Sequence, residues 1–461
     1  MSALLDFVKF NELSNWSVAH LLQSHFNYNK DFELVKIGSF LQRNKTQIIV
    51  DDNTTYKRVT IKLYNNGVFL RDTEIGKNIG IKKQFLIKEG QFLLSKIDAR
   101  NGAFGIATNE VDKAIITADF LAFDIDTLKI NPDFLVLITT TKKFMQFAQS
   151  ASSGTTGRQR IDELKFLNTK IPLPKLDIQK QIVENYQNKI NLANEQEQKA
   201  KDLEKDIEEY LTKELNLEFH NYEIQDSILK FIQYQKKTDV WGVEKILLNN
   251  EIYLSKKYEL KKISDFFELI RGVTYKKTSE VADNGYKVLR ANNINLDNSL
   301  NITDIKQISY HENFQDSKKL IKNDIFICLA SGSKKHIGKV SFISEDTNFY
   351  FGGFMGAIRL KNNNFSPKYL YVFLTSSIFN SYLSNTIFGA NINNLSSDIL
   401  YNFKIPEPPI ETQEQIANHI EILKKEIKML NEQSEKNKKL ALEEFEKEVF
   451  NEAQKTLGKW I

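Results

Sequence analysis

The stretch "IPLPKLDIQKQI" at 171–182 returns as "IPEPPIETQEQI" at 405–416. Ile, two Pro, two Gln and a final Ile recur at the same six offsets, 234 residues apart. A repeat at that distance means two copies of a domain-sized unit, not a short tandem array. Other matches run in the same order. "NWSVAHLL" (15–22) resembles "VWGVEKILL" (240–248), with Trp16 opposite Trp241, and "FELVKIGSF" (32–40) resembles "YELKKISDF" (258–266). "FLIKEGQF" (85–92) matches "KLIKNDIF" (319–326), and "NPDFLVLITTT" (131–141) matches "SPKYLYVFLTS" (366–376), aligned on Pro132 and Pro367. The offset drifts only from 225 to 235 along the series. The chain therefore reads as one unit written twice, each a globular part followed by a long helix.

A length of 461 residues suits two or three domains, and 41% apolar residues suffice for their cores. Each globular part reads as mixed α/β. "TYKRVTIKLY" and "DIFICLA" are β-rich runs, and "KVSFISEDTNFYFGGFMGAIRL" reads as strands broken by turn residues. The segments beginning at Pro132 and Pro367 read as helices, with Asn131 and Ser366 as caps and Pro at the first helical position.

The stretches that follow the motif are long helices. In the second, Ile416, Ile420, Leu423, Ile427 and Leu430 step by 4, 3, 4 and 3, a coiled-coil seam. Ser434 and Asn437 interrupt it, and Leu440, Phe445 and Val449 resume an apolar face in another phase. In the first, Ile182, Ala193, Ala200, Leu203, Ile207 and Tyr210 mark the equivalent row. Rods of roughly 57 Å are too long for one small domain to bury, so the two are expected to pack on each other. With two similar units the pair would be antiparallel and pseudo-two-fold, holding the globular parts apart. Pro172 and Pro174 are expected to block strand pairing or helix just before the first rod.

Charge is unevenly spread. Residues 178–215 carry six Lys against nine acids and 411–447 seven Lys against nine Glu. Those −3 and −2 contributions within a total of +4 leave +9 elsewhere, a mild signal for a polyanionic partner. No apolar run approaches the ~20 residues of a membrane span, and "MSALLDFVKFNELSNW" lacks the features of a signal peptide. The one cysteine, Cys328, lies in an apolar run and is expected as a buried small hydrophobe; the expected compartment is a reducing cytoplasm. His20, His25, His220, His311, His336 and His419 are scattered, so no zinc or other metal site is expected.

Catalytic signatures are missing. There is no Asn/Asp-Pro-Pro-Tyr/Phe motif; the one Pro-Pro pair, Pro408-Pro409, precedes the second rod. "GSKKHIGKV" (332–340) has the wrong glycine spacing for a phosphate loop, with Val340 where a magnesium-binding hydroxyl is needed. What the chain offers instead is loops suited to binding, in pairs: 95–105 with 330–339, 152–160 with 388–394, and 270–277 with 289–295. Arg reads guanine and Asn or Gln reads adenine through paired bonds, while Lys, Ser and Thr suit phosphates. The candidate DNA-binding residues are Lys96, Arg100, Asn101, Thr155, Thr156, Arg158, Gln159, Arg160, Arg271, Lys276, Arg290, Asn292, Ser333, Lys334, Lys335, Asn391 and Asn393. Arg158 and Arg160 face Ile392 and Asn394 in the repeat alignment, so the two copies differ most where contacts are expected.

"SSGTTGRQRIDELKFLNTKIPLPKLDIQKQIV" (152–183) and "FGANINNLSSDILYNFKIPEPPIETQEQIA" (388–417) resemble the specificity subunits of type I restriction–modification systems, over roughly 30–216 and 256–450. The resemblance implies target recognition domains at 32–172 and 258–406. It implies conserved long helices at 173–216 and 407–461, with additions at 1–31 (N-terminal helical extension) and 217–257 (helical connector). The additions serve as partner-docking helices or as packing for Trp16 and Trp241. It implies double-stranded DNA as ligand, each domain reading one half-site, about 10 bp apart centre to centre. It implies two methyltransferase subunits that carry S-adenosylmethionine and methylate adenine, restriction subunits that join them, and no catalysis or cofactor on this chain. Ile182, Leu203, Ile207, Ile416, Ile420, Leu423, Ile427 and Leu430 would pack the helices or dock subunits. One departure is that Ile178 and Thr412 stand where the family usually has Glu; Thr412 with Gln415 would form a capping box instead. Two rival readings are a type IIB-like enzyme's specificity subunit and a coiled-coil adaptor that binds no nucleic acid. A third, a nuclease of unrecognised type, lacks clustered carboxylates.

Overall fold

Apolar runs bounded by turn residues, and two amphipathic stretches of about 40 residues, dictate sheets joined to rods. The computed structural model describes residues 28–63, 66–141, 144, 152–153, 160–219, 253–361, 364–387 and 394–450. The chain divides into two units: Met1–Glu197 with Glu432–Ile461, and Gln198–Asn431. Trp16 and Trp241 lie outside the described residues.

Each unit holds an antiparallel four-stranded sheet of the same order. In the first unit it runs Leu41–Asn44, Phe120–Ile125, Phe92–Ser95, Phe104–Ile106. In the second it runs Phe267–Arg271, Met355–Leu360, Ile325–Cys328, Val340–Phe342. Phe92–Ser95 (FLLS) and Ile325–Cys328 (IFIC) are buried at every position, as the apolar run in each favours. Cys328 is one of these core residues. The companion sheets differ. The first unit has five strands, Gln47–Ile49, Lys83–Leu86, Ile115–Ile116, Thr55–Ile61 and Val68–Ile75. The second has four, Glu280–Val281, Lys306–Ile308, Tyr286–Leu289 and Phe349–Phe351, the last two parallel.

Helix Pro132–Thr140 starts where expected, with the Asn131 side chain accepting from the amides of Asp133 and Phe134. Ser366 caps Pro367–Leu374 in the same way, through Tyr369 N. The second copy does not continue as one helix: it breaks and resumes as Ser377–Ile387. At the break the hydroxyls of Thr375 and Ser376 donate to the carbonyls of Tyr371, Val372 and Phe373, competing with the backbone ladder.

The recurrent motif ties each globular part to its rod. Strand Glu33–Lys36 pairs with Lys170–Leu173, and Leu260–Lys262 pairs with Lys404–Pro406. Pro172 therefore does not block pairing. It sits in the ladder opposite Leu34, tolerated because each strand of a two-stranded sheet is an edge. The rods follow as Leu176–Glu214 and Ile410–Phe450. In the first unit the buried Gln179 accepts from Asn131 N (2.7 Å) and donates to the carbonyls of Pro174 (2.7 Å) and Lys129 (3.0 Å). Its copy Gln413 accepts from Ser366 N (2.9 Å) and donates to Pro408 O (2.8 Å). The glutamine recurs because it satisfies backbone groups that burial would otherwise leave unpaired. Thr412 is not a cap: the helix already begins at Ile410, and Thr412 N bonds Pro409 O (2.9 Å) within its first turn.

Each unit contains part of both rods, packed antiparallel. In the second unit Ile207, Leu211, Ile416, Ile420, Ile427 and Leu430 are buried, with Leu203 and Leu423 packed against them. Lys199 pairs with Glu426 at 2.7 Å, and the Tyr210 and His419 rings meet tilted, 4.4 Å between centroids. In the first unit Ile182 joins Phe445 and Val449, Tyr186 meets Phe445 edge-on, and Lys189 pairs with Glu444 at 2.7 Å. Ser434 and Asn437 do not interrupt the second rod's buried row. Ser434 and Ala441 are buried, so the 3–4 spacing continues through Leu430, Ser434, Asn437 and Ala441, while Leu440 stays only half-buried. Asn437 donates to Gln196 at 3.0 Å.

The segments expected as helical additions begin differently. Asn29 N bonds Val449 O at 3.1 Å, tying the start of the first globular part to the end of the second rod. Leu217–Phe219 and Tyr253–Ser255 form a two-stranded antiparallel sheet, so the ends of the 217–257 connector are strands rather than helix. Residues 220–252 lie outside the described residues.

Candidate nucleic-acid interface

In the second unit, backbone hydrogen bonds gather five segments at one edge. The parallel strands Tyr286–Leu289 and Phe349–Phe351 end together, with Gly352 N donating to Leu289 O at 2.9 Å. Val273 N donates to Phe351 O (2.7 Å) and Gly272 N to Met355 O (3.2 Å), bringing in the segment after Arg271. Leu329 N and Ala330 N both donate to Phe354 O, at 2.9 and 3.1 Å. Leu395 N donates to Leu329 O at 2.6 Å and Ala330 bridges Asn394. The approach is so close that a Cβ on Gly272 would lie 2.1 Å from Gly352 O, so only glycine fits.

This edge carries several expected residues. The Arg271 guanidinium donates to Ser397 Oγ at 2.8 Å. Arg290 and Asn292 both donate to Asp304 Oδ2, at 3.0 and 2.8 Å, so one carboxylate holds an arginine and an amide side by side. Ser333 and Lys335 are exposed on the loop that leaves Ala330, and Lys334 occupies its short helical turn. Lys276 is exposed farther along the chain from Arg271, before the turn Lys277–Ser279. The loop behind Arg290 is built from within. Asn293 is buried, accepts from Arg290 N (2.7 Å) and donates to the carbonyls of Asn301 (2.8 Å) and Asp304 (2.9 Å). Lys339, 8% exposed, donates to Ala291 O (3.4 Å) and Ile294 O. Burial holds its ammonium below the usual lysine range.

The first unit repeats part of this arrangement, the junction of two loops, with other side chains. Ile161 N donates to Lys96 O (2.9 Å) and Lys96 N to Asp119 O (2.7 Å), joining loop 95–105 to the strand after loop 152–160. Arg160 pairs with Asp119 at 3.0 Å, both about half exposed. Arg100 and Asn101 lie in the turn Ala99–Asn101. Thr155, Thr156, Arg158, Gln159, Asn391 and Asn393 lie outside the described residues.

Sequence reasoning missed Asp119, Asp304, Lys339 and Phe354. Asp119 and Phe354 each immediately precede equivalent strands, Phe120–Ile125 and Met355–Leu360. The aromatic is 74% exposed. The signal for it was present: a large apolar residue directly after Gly352-Gly353 stands on a turn, where burial is difficult. Among the described residues no cluster of His, Cys, Asp and Glu is arranged to hold a metal ion, and no helix is long and apolar enough to cross a membrane.

The family model described as "Type I restriction modification DNA specificity domain" matches this chain twice, at residues 29–205 and 255–440. The chain is 26% identical to the type I restriction enzyme MjaVIII specificity subunit of Methanocaldococcus jannaschii over 427 residues, 89% of this chain and 91% of that one. It is 34% identical to the StySPI specificity subunit of Salmonella potsdam over 164 residues, and 33% to the EcoKI specificity subunit of Escherichia coli over 164 residues. Those two matches span about a third of each relative, 35% of its length. A solved structure described as "Structural basis underlying complex assembly and conformational transition of the type I R-M system" shares the fold, with a TM-score of 0.55 at 15% identity over 92% of this chain and 98% of that one. With the family model covering most of both repeats, this chain belongs to the type I restriction–modification specificity subunits.

Proposed function

We propose that the chain is the DNA-reading part of a type I restriction–modification complex and recognises a split site, one half per globular unit. The observation that carries this is the shared edge. Both units use the same sheet to bring two matching loops together, yet one presents Lys96, Arg160 and Asp119 there and the other Phe354 beside Arg271, Arg290 and Asn292. A constant frame with divergent tips suits two domains that read different sequences. The +9 surplus outside the rods supports a salt-sensitive phosphate term beneath the specific contacts.

The rods are proposed to dock two methyltransferase subunits, which would bring S-adenosylmethionine and methylate adenine, with restriction subunits joining through them. The seam uses only part of each rod's surface, and apolar side chains remain outside it: Leu192 on the first, Ile422 (63% exposed) and Met429 (51%) on the second. In this reading the chain performs no chemistry itself.

The test is to co-express the chain with its partner methyltransferase and map the methylated adenines. Two short defined segments separated by a fixed unread spacer are expected. Exchanging loop 152–160 should change one segment and leave the other intact. A single continuous site, or loss of both segments together, overturns the one-half-per-unit reading.

A further inference from the structure

We propose that Phe354 reads a thymine methyl group in the half-site bound by the second unit. The proposal rests on the DNA-reading function above and assigns it a specificity residue. The ring stands 74% exposed on the turn Gly352–Met355, closed by Met355 N donating to Gly352 O at 2.8 Å. Its backbone is fixed from three sides. Leu329 N and Ala330 N converge on Phe354 O, Gly272 N holds Met355 O, and Gly272 packs directly on Gly352. A solvent-facing aromatic gains nothing from burial in its own fold, and a rigid turn keeps it presented at little entropic cost on binding.

The neighbours define the ligand chemistry. Arg290 and Asn292, held side by side by Asp304, suit hydrogen bonding to purine edges, and the exposed Lys335 and Ser333 suit phosphate. These groups have no use for a phenyl ring beside them. Base edges in the major groove present donors and acceptors, and the C5 methyl of thymine is the apolar group among them. The equivalent position in the first unit is Asp119, paired with Arg160, which cannot make that contact. The apolar contact therefore belongs to the second half-site alone.

The experiment uses the subunit assembled with its methyltransferase and duplexes carrying the mapped site. Each thymine of the second half-site is replaced in turn by deoxyuridine, which removes only the methyl group. The wild-type complex should lose about fourfold in affinity at one position, the worth of one buried methyl group. Phe354→Ala should bind the thymine duplex at least that much more weakly and no longer distinguish thymine from uracil there, while Phe354→Leu retains part of the discrimination. Three results overturn the proposal: a second half-site without thymine, a wild type indifferent to every deoxyuridine, or Phe354→Ala that still discriminates. Weakened assembly with the methyltransferase at unchanged discrimination would place Phe354 on a protein interface instead, and also overturns it. A wild-type complex with no sequence preference for any duplex is a separate failure, of the specificity function itself.

Discussion

The two units share a four-stranded sheet, its strand order and a buried glutamine, yet they differ in the companion sheet, the candidate interface edge and the rod seam. What is kept is the central sheet and the joint to the rod; the companion sheet, the exposed edge and the seam vary. The seam contrast is the clearest. In the second unit it is Ile207, Leu211, Ile416, Ile420, Ile427 and Leu430. In the first, Ala193, Gln196, Ser434, Asn437 and Ala441 follow the apolar contact of Ile182 with Phe445, and Gln196 bonds both Asn437 and the exposed Gln433. Two rods of similar composition thus join by an apolar row in one unit and, in the other, by an apolar end at Ile182, Phe445 and Val449 followed by small and amide side chains.

Ile420→Glu should break this contrast most severely. The side chain is fully buried in the apolar seam, so a carboxylate there loses its hydration and should cost about 3–5 kcal/mol. Leu440→Glu, off the seam by the observed phase, should cost under about 1 kcal/mol. Urea denaturation of the two variants separates the phases: a larger loss at Leu440 would mean that the buried row shifts after Leu430.

The glutamine contact should show the opposite pattern, equality between units. Gln179→Leu and Gln413→Leu each strand a buried backbone amide and at least one carbonyl, at about 3 kcal/mol. If only one of them lowers the unfolding midpoint, the motif has kept its sequence in the other unit without its structural role.

Much of the shared plan was legible in the residues. The repeat, the caps at Asn131 and Ser366, the buried run at Cys328 and the 3–4 row through Leu430 follow from local patterns that the structure keeps. Legibility failed where tertiary position overrides residue type. Lys335 and Lys339 belong to one basic loop, yet one is exposed and the other is buried under Ala291 and Ile294. Ser434 and Asn437 looked like breaks because hydroxyl and amide side chains are rare in a seam, and Leu440 drew the eye because leucine is common there. Pro172 looked like a stop because its missing amide matters in most ladders but not on an edge. Phe354 and Asp119 were invisible as a pair until the strands that follow them were aligned.

A pH experiment sharpens the difference in how the rods are held. In the second unit the Lys424 ammonium donates to Thr375 Oγ1 and lies 5.4 Å from the centre of the Tyr371 ring. Burial lowers its pKa to about 8, against the pull of Glu208. The folded value lies below the unfolded value near 10.5, so the unfolded chain binds the extra proton between these limits, and wild-type stability rises with pH across that window. Lys424→Met should therefore stabilise the protein by about 3 kcal/mol at pH 7 and lose that advantage by about pH 10.5. Equal gains at both pH values would assign the effect to packing and not to the charge.

The smallest expected effect belongs to Ser434, whose hydroxyl is fully buried in the first unit's seam without a hydrogen-bond partner. A buried donor that gains nothing from the fold has already lost its hydration, so removing the oxygen should stabilise, by up to about 1 kcal/mol. Ser434→Ala keeps the small volume the seam requires there, whereas Ser434→Leu adds three carbons to a close-packed row and should destabilise by about 1–3 kcal/mol. Opposite signs for the two variants would mean that the first unit's seam is specified by side-chain size and tolerates the serine only for its volume. Destabilisation by both would mean that the hydroxyl does bond within the seam, making the polar row of the first unit a hydrogen-bonded counterpart to the apolar row of the second.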